Sequence, residues 1–337
     1  MAVAVSTAPI ALEGRYRLLV RALVRLRRSR RGRWAVAAGA TGLTAALAFL
    51  AARHFATTSW PLANGRPSLL LAAGLLLLLA QALKAYGWGR LFVPGERPKP
   101  IALAAGNGGA AVVGLVLPGR FDDATRVAVV RRYPGCPAGI RVLCLSLVML
   151  GLIDAVALAP LALAAAAFPA GGIGVRLGLG IVALAGIAAA ALILALPRLA
   201  GSKRSLRFPV GRWLSPRTTS RRRAAEAWVL VSACWIVRAF ALLLVLGTLG
   251  IGFSFPLALL LLNAGAAAAA LPIGPAGAAT QVGGGAAALI AAGVGTSTAL
   301  NVAVSFAALG VFSGAAILLA ALLWRVGVSL MPARART

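Results

Sequence analysis

Acidic residues are nearly missing from this sequence: Asp and Glu number 6 against 34 Lys and Arg in 337 residues. Histidine occurs once, as His54, and cysteine three times, as Cys136, Cys144 and Cys234. Such a supply leaves no set for a metal centre or a Ser-His-Asp triad. No catalytic residue, cofactor or metal is expected, and the chain is not read as an enzyme. The cysteines show no paired spacing, which suits free buried thiols. Charged residues make up only 12% of the chain, about half the share of a soluble domain. From Ala239 to Trp324 there is no Asp, Glu, Lys, Arg or His at all. These shortages exclude an ordinary soluble fold.

What is present is apolar. Hydrophobic residues make up 61% of the chain and the mean hydropathy is +0.93. The expected fold is all-α, a polytopic transmembrane helical bundle. The net charge of +28 lies almost wholly between the apolar runs. That placement suits topogenic charge and an anionic lipid surface, so nucleic acid is not an expected partner.

Three regions follow. Residues 1–33 form a basic cytoplasmic arm, read either as an amphipathic helix (Arg17, Arg21, Arg25 and Arg28 on one stripe) or as a topogenic tail. Residues 34–325 form the transmembrane domain, and 326–337 a basic cytoplasmic tail. Spans are expected at Trp34–Ala52, at Ser68–Leu83 (closed by Lys84), near Ile140–Leu163 and Leu177–Leu196, at Ala224–Leu249 and at Ala299–Trp324. The arginine-rich segment Gly201–Arg223 belongs in the cytoplasm by the positive-inside rule. Counting spans back from it puts both flanks of Ile101–Leu117 on one side, so that stretch is expected to be re-entrant. This gives about six full spans plus two re-entrant or broken regions, with an eight-span count open through 255–294. Both termini are expected in the cytoplasm, in the inner membrane of a bacterium.

The charge that does enter apolar sequence is concentrated at Leu117-Pro-Gly-Arg-Phe-Asp-Asp-Ala-Thr-Arg126. Pro118 and Gly119 break the helix before it. Asp122–Arg132 reads as a short helix lying flat on the membrane surface, with Asp122 or Asp123 capping its start. Asp122 and Arg126, four apart, suit a helical ion pair. Arg120 and Arg126 could hold a phosphate by bidentate hydrogen bonds, with Asp123 orienting them. Glu226 reads as a helix-start partner of the preceding arginines, not as a site residue.

Asp154 and Arg238 stand alone in apolar runs. A mid-membrane charge is costly unless paired, and each lies about 20 Å along its helix from the cytoplasmic end. An Asp154–Arg238 contact is therefore expected, as part of an intramembrane polar path. A second broken region, Phe255–Leu271 and Gln281–Val294, flanks Pro272, Pro275 and Gly277. Asn263 precedes these breaks much as Asn107 precedes Pro118, which suggests inverted repeats around a central polar path.

These motifs in this order resemble the lysylphosphatidylglycerol synthase transmembrane-region family, flippase-like integral membrane proteins. Pro118, Gly119, Arg120, Asp123 and Arg126 fit its Pro-Gly-Arg-x-Gly-Glu-x-x-Arg, with Asp122 replacing the glycine. Asp154 fits the end of its Glu-Arg-x-x-Asp, whose first two places hold Leu150 and Gly151. Leu271-Pro-Ile-Gly-Pro-Ala-Gly-Ala278 is similar to its Pro-x-Ser-Pro-Gly-Gly-Leu-Gly, but Gln281 and Val282 stand at the Arg-Glu that follows. The resemblance covers roughly Trp34–Trp324 and implies lipid transport, without the soluble aminoacyl-transferase domain and hence without lysyl transfer.

The expected function is translocation of an anionic or phosphate-bearing lipid, or of a lipid-linked intermediate. The alternative is a non-transporting scaffold for a glycosyltransferase or lipid-modifying enzyme. Expected partners are the lipid substrate and the anionic lipid surface. A partner membrane enzyme and self-association both stay open.

Overall fold

The computed structural model describes residues 65–116, 121–168, 172–270 and 277–330. The arm 1–33, the expected span Trp34–Ala52, residues 331–337 of the tail, and Pro118, Gly119, Arg120, Pro272 and Pro275 lie outside them. The described helices are α1 (Pro67–Arg90), α2 (Pro100–Val116), α3 (Phe121–Arg132), α4 (Ile140–Ala167), α5 (Ile173–Ala200), α6 (Lys203–Leu206), α7 (Pro209–Leu214), α8 (Arg221–Thr248), α9 (Phe255–Ala270), α10 (Gly277–Ala291) and α11 (Thr296–Leu330).

Length separates these helices into two kinds. α1, α4, α5, α8 and α11 are long and apolar enough to cross a membrane. The shortest of them, α1 with 24 residues, reaches about 36 Å. α2, α9 and α10 have 17, 16 and 15 residues, about 22–25 Å, which falls short of a bilayer's roughly 30 Å core. Local chemistry sets several starts. Pro67 opens α1, where its missing N–H costs nothing. The Ser220 hydroxyl accepts the Arg223 N–H to cap α8.

The short helices pair into two hairpins. In the first, a Cβ on Gly106 would meet Val130, one on Gly109 would meet Val129 and Thr125, and one on Gly114 would meet Asp122. α3 therefore runs back along α2, and the hairpin opens where Pro100 and Arg132 stand. In the second, Gly265 abuts Gln281 and Gly285 abuts Leu261, so α10 runs back along α9. Each hairpin enters and leaves at one end, as a re-entrant element does, so neither adds to the five crossing helices among the described residues.

The hairpins open at opposite ends. α1 and α8 are antiparallel: Arg90 pairs with Glu226, and Gly87 lies against Val231 and Ala227. α1 runs into the arginine-rich end, where the first hairpin opens; α8 leaves that end, and the second hairpin opens at its far side. There Gly250 and Gly252, at φ 80° and 89°, turn the chain from α8 into α9, with Phe253 folded onto Gly247. α11 then returns, bringing Arg325 near Tyr133 beyond the end of α3. Span, hairpin, span thus occurs twice, as α1–α4 and α8–α11, in opposite senses.

Close packing of small residues holds the first hairpin to α11. A Cβ on Gly108 would lie 2.4 Å from the Gly314 carbonyl, so the two backbones touch. Many large apolar side chains instead face outward, such as Leu71, Ile181, Leu184 and Phe312, each 65–67% exposed. An apolar exterior over a helical core is what lipid as solvent allows.

Three expectations need correction here. α3 is the return arm of a hairpin, not a helix flat on the surface, because its small and apolar face packs on the glycine stripe of α2. Since α3 starts at Phe121, Asp122 and Asp123 lie in its first turn and complement the dipole from there; neither is the N-cap. Of the three free cysteines only Cys234 is buried; Cys136 is half-buried and Cys144 exposed.

Candidate functional site

The charges that stand alone within the long apolar helices come from three of them. Asp154 on α4 receives Lys84 Nζ from α1 at 2.9 Å on Oδ2. Trp235 Nε1 of α8 donates to its other oxygen, Oδ1, at 2.9 Å. Lys84 lies 5.5 Å from the centroid of that same indole. The carboxylate is thus satisfied on both oxygens, as a charge inside apolar surroundings must be.

The expected Asp154–Arg238 pair does not form. Arg238 lies one turn beyond Trp235 on α8, its guanidinium 4.8 Å from the ring centroid, and makes no ion pair with a described carboxylate. The indole stands between the two charges as a shared partner, bonded to one by its N–H and facing the other with its π cloud. Lys84 takes the place that Arg238 was expected to fill. α1 continues past Leu83 to Arg90, so Lys84 is inside the helix and about 9 Å short of its basic end. Cβ bonds tilt toward a helix N-terminus, which here aims Lys84 away from the basic end and toward Asp154. The one sequence signal for this was Trp88, a residue that commonly marks the interface beyond a span. Here Trp88 is fully buried and donates to Ser146 of α4 at 2.9 Å.

Arg238 opens onto a cavity of about 110 Å³ where the two halves meet. Gln81 of α1 and Gln281 of α10 supply its other polar walls; Leu77, Ala111, Leu262 and Phe306 are among the apolar ones. Neither glutamine stood out in the sequence as a site residue.

The first hairpin carries its own cluster near its closed end. Arg126 Nη1 contacts Asp123 Oδ1 at 2.5 Å and Asp122 Oδ2 at 3.4 Å, so both expected carboxylates hold one guanidinium. Arg126 Nε is buried with no partner. Because α3 turns back along α2, Asp122 lies beside Gly114, about 21 Å along α2 from Pro100. This cluster sits well away from the basic end, whereas Arg131 and Arg132 sit at it.

The two asparagines are buried with unmet hydrogen-bonding capacity. Asn107 is 3% exposed and neither side-chain polar atom has a partner; Asn263 is fully buried, donates to the Leu259 carbonyl at 2.8 Å, and leaves Oδ1 free. Gly277 begins α10, directly after the second break. Glu226 joins Arg222, four residues before it, and Arg90 of α1, so it ties two helices at the basic end. A second tie there is Arg217 to Glu96 at 2.8 Å.

The family model described as the lysylphosphatidylglycerol synthase TM region matches residues 34–326, and the chain belongs to that family. No curated protein and no solved structure matches it significantly.

Proposed function

We propose, with membership of the lysylphosphatidylglycerol synthase transmembrane-region family as premise, that this chain moves an anionic, phosphate-bearing lipid or lipid-linked intermediate between the leaflets of the cytoplasmic membrane. One observation carries the reading: two half-length hairpins open at opposite ends of one bundle, with polar and charged side chains between them. In lipid, broken helices and unmet polar groups persist where they line a polar path. Arg120 and Arg126 receive the headgroup phosphate, and Asp123 with Asp122 orients Arg126. Asn107, Asn263, Asp154 and Arg238 offer polar stepping points, Asp154 acting through the Trp235 indole. Pro118, Gly119, Pro272, Pro275 and Gly277 break the helices that would otherwise close the path. Both termini lie in the cytoplasm, and no catalytic step is assigned.

The test is lipid movement in proteoliposomes, using labelled anionic lipids and lipid phosphates with wild type and Arg120→Ala. Selective movement by wild type, slowed in a folded and inserted Arg120→Ala, is the expected result. Normal movement in the variant removes the phosphate role, and no movement by wild type removes translocation itself.

A second reading has its own support. Phe208 and Val210 are 63% and 71% exposed beside Arg207 and Arg212 at the basic end. An apolar and basic ledge of this kind suits docking of a membrane enzyme, as a non-transporting scaffold would offer. Copurification of one fixed partner, lost in Phe208→Asp, without any lipid movement, would favour it.

A further inference from the structure

Every described carboxylate has a cationic partner: Glu96 has Arg217, Asp122 and Asp123 have Arg126, Asp154 has Lys84, and Glu226 has Arg90 and Arg222. Among the described cations left without a carboxylate, Arg238 is the one that lines the cavity between the two halves. It lies seventeen residues into α8, about 25 Å from that helix's basic start, deeper than the other described α8 charges. An arginine cannot shed its proton, so its charge stays and needs a counter-charge or water. The Trp235 ring face offsets part of that need and, being tied to Asp154, fixes where the guanidinium points. The remainder faces a cavity of about 110 Å³, far above the ~10–15 Å³ that one water needs. Gln81 and Gln281 on its walls add amide donors but no negative charge.

We propose that this cavity is a second anion site, reached after Arg120 and Arg126, and takes the phosphate of a lipid headgroup that carries no positive charge. The inference deepens the translocation reading and rests on it for the lipid. Arg238 is the binding cation, Gln81 and Gln281 donate to the remaining phosphate oxygens, and Asp154 is a positioning residue acting through Trp235. A cationic headgroup would meet Arg238 with Lys84 close to the same indole, and no described carboxylate without a cationic partner to receive it. The apolar walls at Leu77, Leu262 and Phe306 suit the acyl-bearing side of a lipid better than free phosphate.

The experiment is calorimetric titration of the detergent-purified full chain with dihexanoyl phosphatidylglycerol, with inorganic phosphate and with the cationic dihexanoyl ethylphosphocholine. The anionic lipid should bind, and the other two should neither bind comparably nor displace it. Arg238→Gln should weaken its binding roughly tenfold or more, the scale of one charge-assisted hydrogen bond. Gln81→Glu, which adds a carboxylate to the wall of the same cavity, should do the same and does not depend on the fold tolerating loss of Arg238. Unchanged affinity in Gln81→Glu, or equal binding of the cationic lipid, would overturn the site. Binding of phosphate as strong as that of the lipid would overturn the lipid assignment. Because the titration reads occupancy, a chain that binds but never moves lipid would sink the translocation reading alone. Movement that persists in Gln81→Glu would sink this site alone.

Discussion

Lys84 on α1 and Asp154 on α4 meet Nζ to Oδ2 at 2.9 Å, with no other charge within a turn of either along its own helix. Their side chains are only 14% and 19% exposed, so each is the main solvent of the other. Breaking a buried pair costs far more than the pair contributes, because the survivor stays charged in apolar surroundings. Asp154→Asn should destabilise the chain by about 3–5 kcal/mol. A Lys84→Met/Asp154→Leu double substitution should recover most of that loss. Thermal unfolding in detergent checks both; a single variant as stable as wild type would refute the pairing.

The contact of α2 with α11 depends on having no side chain at Gly108. Gly108→Ala forces a Cβ to within 2.4 Å of the Gly314 carbonyl, so the backbones must part. Gly151→Ala on α4 meets nothing within 4 Å and removes a flexible residue from a helix interior. The first should lower the unfolding midpoint clearly, and the second should leave it unchanged or raise stability by up to ~1 kcal/mol. Equal effects would argue against the close crossing.

The two hairpins should report from opposite faces of the membrane. In a background with Cys136, Cys144 and Cys234 replaced by serine, Arg131→Cys should react with an impermeant thiol reagent from the same side as Arg222→Cys. Ser297→Cys, at the start of α11 beside the open end of the second hairpin, should react only from the other side. Labelling of all three from one side would contradict the inverted arrangement.

Tyr133, in the turn after α3, has its phenol pushed above the ordinary value of 10.0 by burial, with Arg325 pulling the other way. Its folded pKa exceeds its unfolded one, so the neutral phenol's contribution is intact below about 10. That contribution is lost as pH rises from there through the folded value. Wild type should therefore lose more stability between pH 9 and 11 than Tyr133→Phe, measured by unfolding midpoints. Parallel declines would place Tyr133 in water.

Much of this architecture could be read from residues alone. A bilayer sets a minimum span length, so long apolar runs such as Val142–Phe168, charged only at Asp154, were recognisable as crossings, and Ile101–Leu117 as too short to cross twice. The parity of arginine-rich loops then required one stretch to enter and leave on one side. The i,i+4 spacing of Asp122 and Arg126 foretold their pair because one helix turn brings them together whatever surrounds it. The motifs around Pro118, Asp154 and Pro272 gave the family.

Contacts between helices were not available in the same way. Sequence gives the depth of Asp154, Arg238 and Lys84 along their own helices but not the direction each faces or which neighbour stands there. Depth alone made Arg238 the obvious partner for Asp154. The crossing of α1, α4 and α8 gave that place to Lys84 and put Trp235 between. α3 lacked a strong apolar stripe, so nothing local showed that it would fold back along α2's glycines and carry Asp122, Asp123 and Arg126 away from the basic end. Which stretches are long enough to cross, and that Ile101–Leu117 enters and leaves on one side, followed from residues alone, because both depend on local hydrophobicity and charge in a medium of fixed thickness. Which charges neutralise one another, and that Arg238 faces a cavity, came from helix rotation and packing, which no local pattern encodes.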